Sequence, residues 1–418
     1  MIPAFTDINF PTPANAFPNN VPIPFNVTRS ANVTFPSNVT SAYINFYEQQ
    51  NGNDEFWYTL QPPFREFRIF INNTLVATVE PYPNVQTGGG DLFLWQPILA
   101  IGAELYPPHV INLSPYLSLL HGKQQIRVEV INDESLWIRS ALNFMVNTSS
   151  SPVSSYTLSN SYLFVNSYIQ NPPTNFTTES IPLNASYLND TEGVQEVLSA
   201  SGLTVTNSYV AEYSSIKTDT FFSNATEYDP SFDILQKTPT GYLRSTVETF
   251  FLNETITEYS SATYYLLSPS SHESYGSISI INTKQEYFQI NGTTTIDYYL
   301  NDNFSLVSVG IGFNITQIRN ITDYQNVTYS INGTIGGYSL FSVNNTMVTG
   351  SGFFVGTVVK GVITSLIYNH AMTTKTIHSL SELDGQVTDY YNLYEVAVNN
   401  SLVLRNGQLI VYEVSQGS

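Results

Sequence analysis

The sequence predicts an all-β protein of tandem antiparallel β-sandwiches, and three observations predict it. Charged residues make up only 11% of the 418, well under the usual quarter, so the strong helix formers Lys, Arg and Glu are scarce. Tyr (29) and Phe (25) are abundant, and both fit a pleated, half-buried surface. Turn signals recur between alternating runs, as at Asn291-Gly292, Asn332-Gly333 and Asn406-Gly407.

Taken in order, the first 35 residues are rich in Pro, Asn and Phe and read as extended chain laid over a surface. Residues 39–47 alternate as a strand, and Asn51-Gly52-Asn53-Asp54 is a turn that delivers Glu55 and Trp57 to the next one. Phe67, Ile69 and Ile71 alternate with Arg68, Phe70 and Asn72, again a strand period. Ser114-Pro115 opens a short helical turn, with Ser114 as N-cap, Pro115 as first helical residue and Gly122 as the stop. Ile126, Val128 and Val130 mark another strand, and residues 141–146 close the first unit. A Ser-rich stretch with Pro152 is the best boundary, so residues 1–150 form one sandwich and 151–418 a second β-rich region of one or two antiparallel sandwiches. Within that region residues 161–168 read as a strand. Residues 191–202 carry the one short helix, capped by Thr191 with Val194, Val197 and Leu198 on one face. Residues 268–276 are a second polar break. The apolar run at 353–367 is interrupted by Lys360 and reads as strands, not as a membrane span.

Charge bounds the partners. Lys plus Arg total 14 against 33 acids, a formal charge of −19, which argues against nucleic acid or an anionic membrane. A neutral ligand such as a sugar or glycopeptide suits it. There is no Cys, hence no disulfide and no thiol nucleophile. The five histidines show neither HxH nor HExxH spacing, so no metal or cofactor is expected. Asn-X-Ser/Thr sequons are dense, among them Asn26, Asn32, Asn38, Asn147, Asn175, Asn253, Asn314 and Asn332. With low charge and no Cys, they point to a glycosylated, extracellular protein of archaeal type. An acidic habitat would neutralise most of the carboxylates. No signal peptide is visible in the chain as given.

The stretch 62–122 concentrates conformationally special residues beside charged and aromatic ones. It contains Pro63-Phe64-Arg65-Glu66, Asn72-Asn73, Pro81-Tyr82-Pro83, Thr87-Gly88-Gly89, Leu94-Trp95-Gln96-Pro97-Ile98, Ile101-Gly102-Ala103 and Ile111-Asn112-Leu113-Ser114-Pro115. Together with Asp54-Glu55-Phe56-Trp57-Tyr58, this set resembles the peptide:N-glycanase A family over about residues 36–146. The chain departs from the family at Gln96, Gly102 and Asn112, neutral where the family carries Arg, Asp and Asp.

The resemblance implies a jelly-roll form for the sandwiches and metal-independent hydrolysis of the amide between N-acetylglucosamine and Asn in N-glycoproteins and glycopeptides. That reaction needs an activated water, a donor for the carbonyl oxyanion and an acid for the leaving nitrogen. On the resemblance, Glu66 is the base, Arg65 holds the carbonyl or a sugar oxygen, and Asp54 or Glu55 is the second carboxylate. Trp57 and Trp95 would stack on sugar rings. Gly88 and Gly89 would admit a ligand close to backbone N–H groups, with Asp91 a further acid. Alternatives stay open for each. Glu66 can be a solvated strand residue paired with Arg68 two positions on, and the tryptophans can be core. At the level of the whole chain, a non-catalytic cell-surface sandwich protein, of a surface layer or filament, or a glycan-binding module, remains beside the amidase. Oligomeric state is left open.

Overall fold

The computed structural model describes residues 4–10, 25–48, 64–81, 108–133, 141–170, 187–228, 237–238, 241–303, 306–359, 362–382, 385–398 and 401–415. These are all-β, in antiparallel sheets, with a single short 3₁₀ helix among them. The first eight strands are β1 (Ala4–Phe10), β2 (Phe25–Phe35), β3 (Val39–Tyr47), β4 (Glu66–Ile71), β5 (Thr74–Val79), β6 (His109–Asn112), β7 (Gly122–Asp133) and β8 (Ala141–Thr148). They form two four-stranded antiparallel sheets, ordered β1-β8-β3-β6 and β2-β7-β4-β5. Aromatic pairs bridge the sheets edge-on: Phe35 of β2 meets Phe144 of β8 at 5.3 Å, and Phe46 of β3 meets Phe67 of β4 at 5.0 Å. Period-2 alternation aims Phe67, Ile69 and Ile71 into this core.

The remaining strands are β9 (Ser155–Gln170), β10 (Tyr187–Thr206), β11 (Tyr209–Tyr228), β12 (Lys237–Thr238), β13 (Gly241–Leu267), β14 (Ser274–Leu300), β15 (Leu306–Ile331), β16 (Thr334–Val359), β17 (Val362–Glu382), β18 (Gly385–Val398) and β19 (Ser401–Ser415). They form one 11-stranded antiparallel sheet in which strands follow chain order from β9 to β19, with the short β12 pairing β13 off the path. Where the turn spacing suggested one or two sandwiches, the described residues make a single meander. At 27 residues, β13 and β14 extend about 90 Å at roughly 3.3 Å per residue.

Two misread signals explain the difference. Asn332-Gly333 does turn the chain, with φ of 49° and 82°, the doubly positive geometry of a type I′ hairpin. Asn291-Gly292 does not. It lies inside β14, and Gly292 pairs with Phe250 of β13. A Cβ there would stand 2.4 Å from the Phe250 ring, so glycine is present to let the ring lie across the strand. Asn406-Gly407 likewise sits within β19, opposite Tyr394 and Leu393. Each expected hairpin at these places is therefore half of a longer strand.

The helix expected at 191–202 is also corrected. Those residues belong to β10, hydrogen-bonded to β9 on one side and β11 on the other. Glu196, Leu198, Ala200, Gly202 and Thr204 are all buried, a period of two that tertiary pairing imposes over the weak helical spacing.

The sheet packs on the sandwich through the 3₁₀ helix (Ser114–Leu119) and the β3, β4 and β5 region. Tyr213 Oη donates to Thr40 O at 2.8 Å and Tyr156 Oη to Val39 O at 2.7 Å. Phe64 and Phe221 rings meet at 4.7 Å. One apolar cluster runs through both parts, from Phe35 and Phe46 to Phe250 and Ile290. No helix among the described residues is long and apolar enough to cross a membrane.

Candidate functional site

Glu66 opens β4. Because Phe67, Ile69 and Ile71 point into the sandwich, Glu66 and Arg68 point to the other face of the sheet. That face meets β10 of the meander, so Glu66 is fully buried and its carboxylate faces Glu196. The pairing of Glu66 Oε1 with Arg68 Nε is present. The solvation that would have made it a surface pair is not. Burial pushes the Glu66 carboxyl up to about 8, Glu196 beside it pushes the same way, and Arg68 only partly opposes them. Arg65 is 1% exposed, and its Nη1 donates to Phe64 O at 2.8 Å.

A second charged cluster adjoins the first. Lys217 of β11 is buried, and its Nζ donates to Thr78 O at 2.7 Å and Glu80 Oε2 at 2.7 Å. The same ammonium lies 3.1 Å from Asp219 Oδ2 and 2.8 Å from Glu254 Oε2. Burial alone would lower the lysine, yet Asp219, Glu254 and Glu80 together hold it well above its ordinary value. Burial pushes Glu254 up to about 7 against the pull of Lys217, with Glu80 adding to the rise. Asp219 is raised as well, by burial and then by Glu80.

Two clefts open where the sandwich edge meets the meander. One, with a cavity of about 50 Å³, is walled largely by apolar side chains such as Val76, Ile111, Leu198 and Ile256. Its neighbour, also about 50 Å³, is lined by Glu80, His109, Lys217, Glu254, Glu286 and Arg319. Arg65 and Glu66 line neither cleft. Asp54, Glu55, Trp57, Gly88, Gly89, Asp91 and Trp95 lie outside the described residues.

Asn112, a departure from the family pattern, has a structural part here. Its Oδ1 accepts the Ser114 N–H at 2.9 Å and so fixes the entry to the 3₁₀ helix. An amide oxygen serves this as a carboxylate would. Ser114 is not the N-cap expected from sequence; Leu113 holds that place. The Ser114 hydroxyl instead accepts from Ala42 N–H at 3.1 Å, tying the helix to β3.

The family model "Peptide N-acetyl-beta-D-glucosaminyl asparaginase amidase A" matches residues 8–151. Residues 8–151 are thus similar to the PNGase A family. A curated protein of Prunus dulcis, "Peptide-N4-(N-acetyl-beta-glucosaminyl)asparagine amidase A", is 31% identical over 130 residues, covering 27% of this chain and 23% of its own length. The chain thus spans about a quarter of the curated relative that it matches. No solved structure matches it. The matched region contains Arg65, Glu66 and Glu80, whereas Glu196, Lys217, Asp219 and Glu254 come from the meander beyond it.

Sequence reasoning missed Glu80, Glu196, Lys217, Asp219 and Glu254. A signal was there. In β11 the buried phase runs Tyr209, Ala211, Tyr213, then Lys217, Asp219, Phe221. Charged residues in the apolar phase of a strand must find partners, and that marks a buried network.

Proposed function

We propose that the chain is an amidase that hydrolyses the bond between N-acetylglucosamine and the Asn side-chain nitrogen of N-glycoproteins and glycopeptides. The match of residues 8–151 to the PNGase A family carries this reading. In it, Asp54 and Glu55 activate water and protonate the leaving nitrogen, while Trp57 and Trp95 stack on sugar rings. Gly88 and Gly89 admit the ligand near backbone donors, and Asp91 is a further acid. Arg65 and Glu66, sealed at the start of β4, are positioning residues. They hold the point where the segment bearing Asp54, Glu55 and Trp57 rejoins the sheet. The dense sequons support an extracellular site of action on a chain that is itself glycosylated.

The test is a gel-shift assay on a denatured N-glycoprotein between pH 3 and 8. Release of the glycan is expected. Asp54→Asn and Glu55→Gln should each lose activity by at least a hundredfold. Glu66→Gln should lose about a hundredfold, because an amide of the same shape cannot keep the charge-assisted bond to Arg68 that fixes this point of the sheet. Its melting temperature should stay close to that of the parent, since Gln matches the protonated acid in shape. Activity retained in Glu66→Gln would remove that residue from the reaction.

One observation favours a second reading. Arg65 and Glu66 are both buried and line neither cleft, as a scaffold with the family fold would have them. On that reading the protein is a non-catalytic cell-surface component or glycan-binding module. Absence of release at every pH would select it.

A further inference from the structure

We propose that a calcium ion binds between the sandwich and the meander, held by the carboxylates of Glu66, Glu80 and Glu196. One oxygen from each lies within 4.8 Å of the others, and all three residues are buried. Glu66 gives Oε1 to Arg68, and Glu80 gives Oε2 to Lys217. The opposite oxygens, Glu66 Oε2 and Glu80 Oε1, have no hydrogen-bond partner. Glu196, 1% exposed, meets no cation and no backbone donor among the described residues; its side chain faces the Glu66 carboxyl. Glu66 at the start of β4, Glu80 just beyond β5 and Glu196 of β10 therefore bring carboxylate oxygens into one small space. Bare buried carboxylate oxygens are costly unless a cation or proton meets them.

Charge counting points the same way. The joined clusters set five carboxyl groups (Glu66, Glu80, Glu196, Asp219 and Glu254) against the two cations that pair with them, Arg68 and Lys217, so protons offset the excess until another cation displaces them. Lys217 is already shared by three acids and has little left to neutralise Glu196. The donors are all hard oxygens, without Cys or His, which selects a hard cation. Calcium accepts irregular sets of carboxylate oxygens drawn from separate strands, whereas magnesium demands a near-ideal octahedron and sheds its water reluctantly. Water would complete the shell. The ion would cross-link β4 and the end of β5 to β10.

The proposal does not rest on the amidase reading, because its test needs no substrate. Full-length chain stripped with a chelator and dialysed is titrated with calcium chloride by calorimetry and by thermal melting. One tight site per chain is expected, with the melting temperature raised by about 5 °C at a hundredfold excess over the dissociation constant. Magnesium chloride should give a clearly smaller shift. Glu196→Gln should keep the circular dichroism of the parent and lose the tight site, and Glu66→Gln should do the same independently. A parent that shows no saturable heat and no shift overturns the proposal. So does weak, multiple binding that both variants retain, which would mark a general attraction of calcium to an acidic surface.

Discussion

Lys217→Met is expected to lower the unfolding free energy by roughly 3–5 kcal/mol, as breaking a buried ion network from one side does. The change removes the ammonium that meets Thr78 O, Glu80, Asp219 and Glu254, and leaves three carboxylates facing one another. Met fills the space of the stem but supplies no charge. The loss should depend on pH. Glu254 sits at about 7 in the folded chain, above its ordinary carboxylate value, and Asp219 is raised too. A carboxyl whose folded value exceeds its unfolded one favours folding when protonated, and loses that advantage as pH rises through the folded value. Without Lys217 both groups rise further. The variant should therefore recover much of its deficit at pH 5 and show its full deficit at pH 8. Urea denaturation at the two pH values checks this. A deficit equal at both, or under about 1 kcal/mol at pH 8, would mean that the network contributes little.

Gly202→Ala should cost about 3 kcal/mol or more. A Cβ at Gly202 would lie 2.2 Å from Pro115 O and 2.9 Å from Pro115 C, both backbone atoms of the 3₁₀ helix. Neither can swing aside as a long side chain would, so β10 must lift from the sandwich. A useful comparison is Gly333→Ala. That residue has a positive φ of 82° in the β15–β16 turn but open space around it, so the expected cost is near 1 kcal/mol. Thermal melting should rank the two. Gly202→Ala should also speed hydrogen exchange at Leu120 N–H, which bonds Leu117 O at 3.0 Å in the same helix. Equal, small effects would show that the helix and β10 are less tightly seated than the geometry requires.

The all-β class was legible because composition and alternation speak for the backbone directly. The β3, β4 and β7 strands follow their apolar periods, and the Asn332-Gly333 hairpin follows from the positive φ that its two residues accept. The length of the meander strands was not legible. Asn-Gly reads as a turn wherever it occurs, and only the Phe250 ring lying over Gly292 shows why this one stays extended. The site was partly legible. Glu66 stood out through its motif, yet its burial depends on β10, about 130 positions on, which no local pattern encodes. Lys217 and Asp219 could have been found from strand phase alone. Glu196 could not, because its stretch imitates a helical spacing until β9 and β11 flank it.

The two halves differ in when they can close during synthesis. In the sandwich the pairings are nested: β2 waits for β7 and β1 waits for β8, so one sheet is complete only when Asp133 has emerged and the other only at Thr148. The meander is sequential from β13 on, each strand docking on the one made just before it. Growth there can proceed hairpin by hairpin with short loops to close. A ribosome would thus release a finished N-terminal template on which the long sheet is then laid down strand by strand, its first rows already gripping Pro115 and Thr78 while its last are still unmade.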